Sequence, residues 1–97
     1  MLMRLAQKRK PRRRLQPWVG PWLRDMRETA RRSGAKSSEV ADVARRLRRH
    51  VSAVSRIETG HSAIPADDLP VVLRAYRLTP EQFAERAMEA AGKERAA

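Results

Sequence analysis

The chain of 97 residues carries 22 Lys plus Arg against 11 Asp plus Glu, a formal net charge of +11, and has no cysteine. The missing cysteines exclude disulfides, thiolate metal sites and a Cys nucleophile, and no apolar run approaches the ~20 residues of a membrane span. A positive surplus of this size draws a chain toward polyanions, and it is uneven: residues 1–63 hold 17 basic and 5 acidic side chains, residues 64–97 only 5 basic and 6 acidic.

Residues 1–16 contain Arg4, Lys8, Arg9, Lys10, Arg12, Arg13 and Arg14 and no acid. Pro11 and Pro17 interrupt any helix there and like charges favour an extended chain, so the stretch reads as a flexible basic arm. It is either a solvated leader or a strand of cations that follows a polyanion backbone through Arg12, Arg13 and Arg14. Pro17 or Pro21 opens a first helix that runs to about Arg32. Val19, Trp22, Leu23, Met26 and Ala30 form its apolar stripe, with Trp18 at the edge, compatible with core, arm anchor or dimer contact. Ser33 and Gly34 stop this helix. Ser37 or Ser38 caps the next, with Glu39 in its first turn, where the helix dipole favours negative charge.

Val40, Val43, Ala44 and Leu47 recur at i, i+3, i+4, i+7, and Val51, Val54 and Ile57 repeat the pattern. Only Arg48, Arg49 and His50 separate the two stripes, so the second and third helices cross sharply through a tight turn, which is the helix-turn-helix plan. His61 to Pro65 reads as a loop. Leu69, Val72, Leu73 and Tyr76 mark a fourth helix, with Asp67 or Asp68 as cap and Pro70 in its first turn. Thr79, Pro80, Glu81 and Gln82 form a capping box that opens a fifth, whose apolar face continues through Phe83, Ala84, Ala87, Met88 and Ala91. The expected organisation is an all-α, five-helix domain over residues 17–91, preceded by the arm (1–16) and followed by a frayed tail (92–97).

With Val51, Val54 and Ile57 turned to the core, the third helix presents Ser52, Ser55, Arg56 and Thr59 outward, again at i, i+3, i+4, i+7. All four can hydrogen-bond and none is acidic. Such a face fits a DNA major groove, where Arg bonds a guanine edge in bidentate fashion and Ser or Thr bonds several bases or a phosphate. No nucleophile sits near a His and an acid and there is no Gly-rich phosphate loop, so an enzyme is not expected. His50 and His61 are the only histidines and lack partners at metal-ligand spacing, so neither a metal nor a cofactor is expected. An RNA-binding reading is weakened because Trp18, Trp22, Tyr76 and Phe83 lie mostly at core-like positions rather than where they could stack on bases.

The order of the helices and the run Ser52-Ala53-Val54-Ser55-Arg56-Ile57-Glu58-Thr59-Gly60, supported by Leu23 to Glu28 and Val71 to Phe83, resemble the lambda-repressor-like (Cro/C1-type, XRE) helix-turn-helix regulators over roughly Val19 to Met88. The resemblance implies a sequence-specific transcriptional regulator of double-stranded DNA, a repressor acting as a homodimer on a pseudo-palindromic operator, in the cytoplasm and on the nucleoid when bound. By position it places base contacts on Val51, Ser52, Ser55 and Arg56, and backbone contacts on His50, Thr59, His61 and Ser62. It also implies a partly buried ion pair between Arg27 and Glu58, which makes Glu58 a brace. Two positions depart from the pattern. Val40 stands near the place of a phosphate-binding Gln, the loop before that helix is longer than usual so that Lys36, Ser37 or Ser38 would supply the missing contact, and Arg48 stands where a Gly with positive φ is common. Of Arg45, Arg46, Arg48 and Arg49, about half are expected to touch DNA, since helix geometry spreads neighbouring residues around the axis; Arg48 and Arg49, beside the turn, are the candidates. The alternative function is the antitoxin of a toxin–antitoxin pair, using the same fold on its own operon and the fifth helix toward a toxin.

Overall fold

The computed structural model describes residues 13–96. Five α-helices follow one another: α1 (Val19–Arg32), α2 (Val40–Leu47), α3 (Val51–Glu58), α4 (Leu69–Ala75) and α5 (Pro80–Ala96), with a 3-10 turn, Ala66–Asp68, leading into α4. Val19, Trp22 and Leu23 from α1, Val43 and Ala44 from α2, Val54 from α3, Ile64 from the loop, and Val72, Leu73, Ala75 and Tyr76 around α4 make one core. Leu23 and Val54 are both 0 % exposed and sit at its centre. Truncating Leu23 to Ala would remove about 2–5 kcal/mol.

Gly20 sets how closely α1 and α3 cross: a Cβ there would overlap the carbonyl oxygen of Ile57. Only a residue without a side chain lets α1 lie against the last turn of α3. At the other side, Trp18 stacks on Phe83 with ring centroids 5.5 Å apart and meets Trp22 edge-on at 6.0 Å. Trp22 also meets Phe83 at 5.9 Å, and the Arg86 guanidinium lies 5.1 Å from the Trp18 ring centroid. Trp18 therefore ties α1 to α5.

Four expectations change. The cap of α2 is Glu39, whose N–H donates to the Asp42 carboxylate at 2.9 Å. Ser37 has turned into the left-handed region (φ 58) and the Ser38 hydroxyl folds back onto the Ala35 carbonyl at 3.1 Å, so neither serine caps the helix. Val51 is 43 % exposed rather than core. As the first residue of α3 its Cβ leans toward the helix N-terminus, beyond the crossing with α1. Third, α5 continues as helix to Ala96, so 92–96 is not frayed, and its inward side is Phe83, Ala87 and Ala90, leaving Met88 74 % exposed and Ala91 exposed. Its first turn is the expected box, with Gln82 N–H on Thr79 Oγ1 at 3.1 Å and Thr79 N–H on Gln82 Oε1 at 2.8 Å.

The fourth change concerns the arm, of which residues 1–12 lie outside the described residues. Residues 13–15 are held in an antiparallel bridge: Ala66 N–H donates to the Arg13 carbonyl at 2.7 Å and Leu15 N–H to the Ile64 carbonyl at 2.8 Å, with Arg14 opposite Pro65. The chain thus enters the domain along the loop that follows α3.

Candidate nucleic-acid interface

The turn between α2 and α3 depends on Arg48, which adopts φ 56 and ψ 45, the left-handed conformation. Its neighbour Arg49 donates its N–H to the Ala44 carbonyl at 2.9 Å, closing the end of α2. A non-glycine residue in this conformation costs on the order of 1–2 kcal/mol, which the packing of α2 and α3 on either side overcomes. His50 then caps α3: its Nδ1 accepts the Ser52 backbone N–H at 3.2 Å and lies 2.8 Å from Ser52 Oγ.

The far end of α3 is anchored from inside. Glu58 is 3 % exposed and takes both Arg27 Nε (2.9 Å, to Oε2) and Arg27 Nη2 (2.8 Å, to Oε1), a bidentate pair between α1 and α3. Tyr76 donates its hydroxyl to Glu58 Oε2 at 2.7 Å and Arg27 Nη1 reaches the Ser38 carbonyl at 3.2 Å. The hydrogen bond to Glu58 raises the Arg27 pKa further. Burial first, and then the bond to Glu58, push the Tyr76 phenol above its ordinary range. Glu58 therefore braces α3 and faces away from its outer surface. Tyr76 fills an apolar position in the sequence pattern, and only the tertiary structure shows that its hydroxyl completes this network.

Between these two fixed ends, α3 turns Val51, Ser52, Ser55 and Arg56 to solvent on one side, with Thr59 just beyond its end. The Thr59 hydroxyl donates back to the Ser55 carbonyl at 3.0 Å and touches His61 Nδ1 at 2.8 Å. The N–H groups of His61 and Ser62 both reach the Arg56 carbonyl, at 2.9 and 3.1 Å, and so close the helix; Ser62 is half-buried.

The other candidates separate into two groups. Lys36, Ser37, Arg48 and Arg49 are exposed, as are Arg13 and Arg14 on the paired segment; Arg12 lies outside the described residues. Ser38 is 8 % exposed with its hydroxyl on Ala35, which withdraws it as a backbone contact. Arg45 pairs with Asp42 at 3.2 Å. Arg46 donates Nε to the Ala75 carbonyl at 2.7 Å and Nη2 to the Ser37 carbonyl at 3.2 Å, while Arg77, itself left-handed at φ 59, donates to the Lys36 carbonyl at 2.8 Å. Burial, and then the neighbouring Arg77 charge, lower the pKa of Arg46. These two arginines splint the loop that carries Lys36 and Ser37, a role that no spacing in the sequence signals. Among the described residues no group of His, Cys, Asp or Glu could hold a metal ion, and no helix is long and apolar enough to cross a membrane.

A family described as a helix-turn-helix domain matches residues 18–86. The chain belongs to that helix-turn-helix family. The match spans α1 through the first half of α5 and agrees with the lambda-repressor-like resemblance of the sequence. No curated protein and no solved structure matches the chain. As a helix-turn-helix domain the fold is all-α and of the DNA-binding kind, with α2 and α3 as its two motif helices.

Proposed function

We propose that the protein is a sequence-specific transcriptional regulator, a repressor that binds a pseudo-palindromic operator as a homodimer. The observation that carries this reading is the outer face of α3: Val51, Ser52, Ser55 and Arg56 are exposed, and the helix is held at one end by the Arg27–Glu58 pair and at the other by the His50 cap. Arg56 would bond a guanine edge, the serines other base edges, and Val51 a thymine methyl. Lys36, Ser37, Arg48, Arg49 and His50 surround this face and would hold phosphates, with Arg13 and Arg14 extending the contact. In a homodimer two such helices would enter successive major grooves about one helical turn of DNA apart. Met88, 74 % exposed on α5, is the candidate contact between protomers.

Selection of duplexes from a random pool tests the reading: an enriched motif with two-fold symmetry is expected, and recovery of no motif would refute it. The antitoxin alternative would direct the same Met88 face to a toxin, and a small protein copurifying at equal stoichiometry from the native source would favour it.

A further inference from the structure

A cleft of about 350 Å³ opens between α1, the loop before α2, α2 itself and the start of α5, near the lower end of the size range of small-molecule sites. Met26 and Ala30 of α1, Val43 of α2 and Leu78 give it an apolar lining. Arg27, Arg46, Arg77 and Gln82 also line it, and no aspartate or glutamate does. Arg27 is matched by Glu58. Arg46 and Arg77 have no such partner: the first bonds the Ala75 and Ser37 carbonyls, the second the Lys36 carbonyl. The acid whose field reaches Arg46 is Asp42, which is committed to Arg45 and the Glu39 N–H and lies outside the cleft. Two guanidinium cations thus share one cleft without a counter-ion. Each keeps donors in reserve, because Arg46 Nη1 and Arg77 Nε and Nη2 have no hydrogen-bond partner among the described residues. Gln82 gives its Oε1 to the Thr79 N–H and leaves its amide N–H groups without one.

We propose that this cleft binds a small organic carboxylate with an apolar body, its carboxylate held by Arg46 and Arg77 and its body against Met26, Ala30, Val43 and Leu78. A carboxylate matches the guanidinium fork and supplies the missing negative charge. An inorganic phosphate would meet the same cations but leave the apolar lining in water, and a neutral ligand would leave the cations unmatched. Val51, Ser52, Ser55 and Arg56 do not line the cleft, and Arg46 Nε is held at the end of α4 rather than beside α3. The site therefore stands independently of the DNA-binding reading. Because the same two guanidiniums hold the Lys36 and Ser37 carbonyls, the loop before α2 would register whether the cleft is occupied.

The test titrates the isotope-labelled full chain with benzoate, with benzamide, which has the same shape and no charge, and with inorganic phosphate, which has charge and no apolar body. Benzoate should saturate with a dissociation constant of about 1 mM or below, which a fragment of its size can reach. Its amide NMR shifts should concentrate on Ala30, Ala35 to Ser38 and Leu78. Benzamide and phosphate should each bind at least about ten-fold more weakly. Arg77→Gln should weaken benzoate at least about five-fold. Ala30→Leu, which fills the apolar lining and keeps both arginines, should do the same with the thermal midpoint retained. Arg24→Gln, on the exposed side of α1, should leave benzoate binding as it is. Phosphate binding as tightly as benzoate, shifts spread over the whole basic surface, or unaltered benzoate binding in both Arg77→Gln and Ala30→Leu would overturn the proposal. So would a failure of both benzoate and the longer phenylacetate to saturate.

Discussion

Removing the Glu58 carboxylate should be the most damaging single change in the helix-turn-helix region. Glu58 is 3 % and Arg27 9 % exposed, and three charge-assisted hydrogen bonds, two from Arg27 and one from Tyr76, converge on that carboxylate. In Glu58→Leu the Arg27 cation stays buried with only the Ser38 carbonyl as a partner, and the Tyr76 hydroxyl loses its acceptor. Breaking a buried pair in this way costs about 3–5 kcal/mol, a large part of the roughly 5–15 kcal/mol that holds a domain of this kind folded. For so small a domain each kcal/mol moves the thermal midpoint by about 4–8 °C, so a fall on the order of 15–30 °C is expected. Urea unfolding followed by far-UV circular dichroism measures it, with an unchanged slope showing that stability and not the unfolded state has moved. The double variant Arg27→Met, Glu58→Leu separates charge from packing: with no stranded cation it should recover at least half of the loss. A loss below about 1 kcal/mol in Glu58→Leu, or a double variant whose loss is the sum of the singles, would refute the view that this pair braces α3.

Arg56→Ala should weaken operator binding by about 1–3 kcal/mol and relax the preference at one base position, as read by competition with single-base variants of the selected site; equal losses on scrambled DNA would reduce Arg56 to a phosphate contact. Gly20→Ala should destabilise the fold by at least about 1–3 kcal/mol in urea, since the added methyl meets the Ile57 carbonyl; a neutral result would mean that α1 can slide along α3. Met88→Lys should leave the thermal midpoint of the monomer intact and shift sedimentation equilibrium toward the monomer, and an unchanged mass would exclude α5 as the protomer contact. Tyr76→Phe should lose the hydroxyl bond at neutral pH but gain relative to wild type in alkali. The Tyr76 phenol is raised in the native state, so its contribution is complete below the ordinary tyrosine pKa of about 10 and falls by up to about 1.4 kcal/mol per pH unit above it, as the unfolded chain alone loses its proton. Parallel urea titrations at pH 7 and pH 11 check the crossing.

Where side-chain spacing decides the structure, the sequence was informative. Val19, Leu23, Val43, Ala44, Val54, Val72 and Leu73 all fall on stripes, and all are buried. Spacing could not choose a face for α5, because Ala84, Ala87, Ala90 and Ala91 offer similar small apolar surfaces about one residue's rotation apart, and the stack of Phe83 on Trp18 decides it. Nor could spacing show that residues 13–15 pair with 64–66, since backbone N–H and carbonyl groups make those bonds whatever the side chains are. Ser38 looked like a helix cap or a phosphate contact for the same reason that it is neither: its hydroxyl can bond local backbone, and the Ala35 carbonyl was nearer. Ser52, Ser55 and Arg56 are legible as the complement of the α3 stripe, whereas Val51 falls on that stripe and is exposed because it opens the helix. The splints from Arg46 and Arg77 join segments far apart in the chain and left no periodic trace.

The bridge at Arg13–Leu15 also fixes where two cations sit. Arg13 and Arg14 are exposed, and the backbone bonds to Ile64 and Ala66 hold them beside the loop that follows α3. Because backbone groups make those bonds, either arginine can be exchanged for a neutral residue without releasing the segment. Charge and placement are thus separable at these two positions.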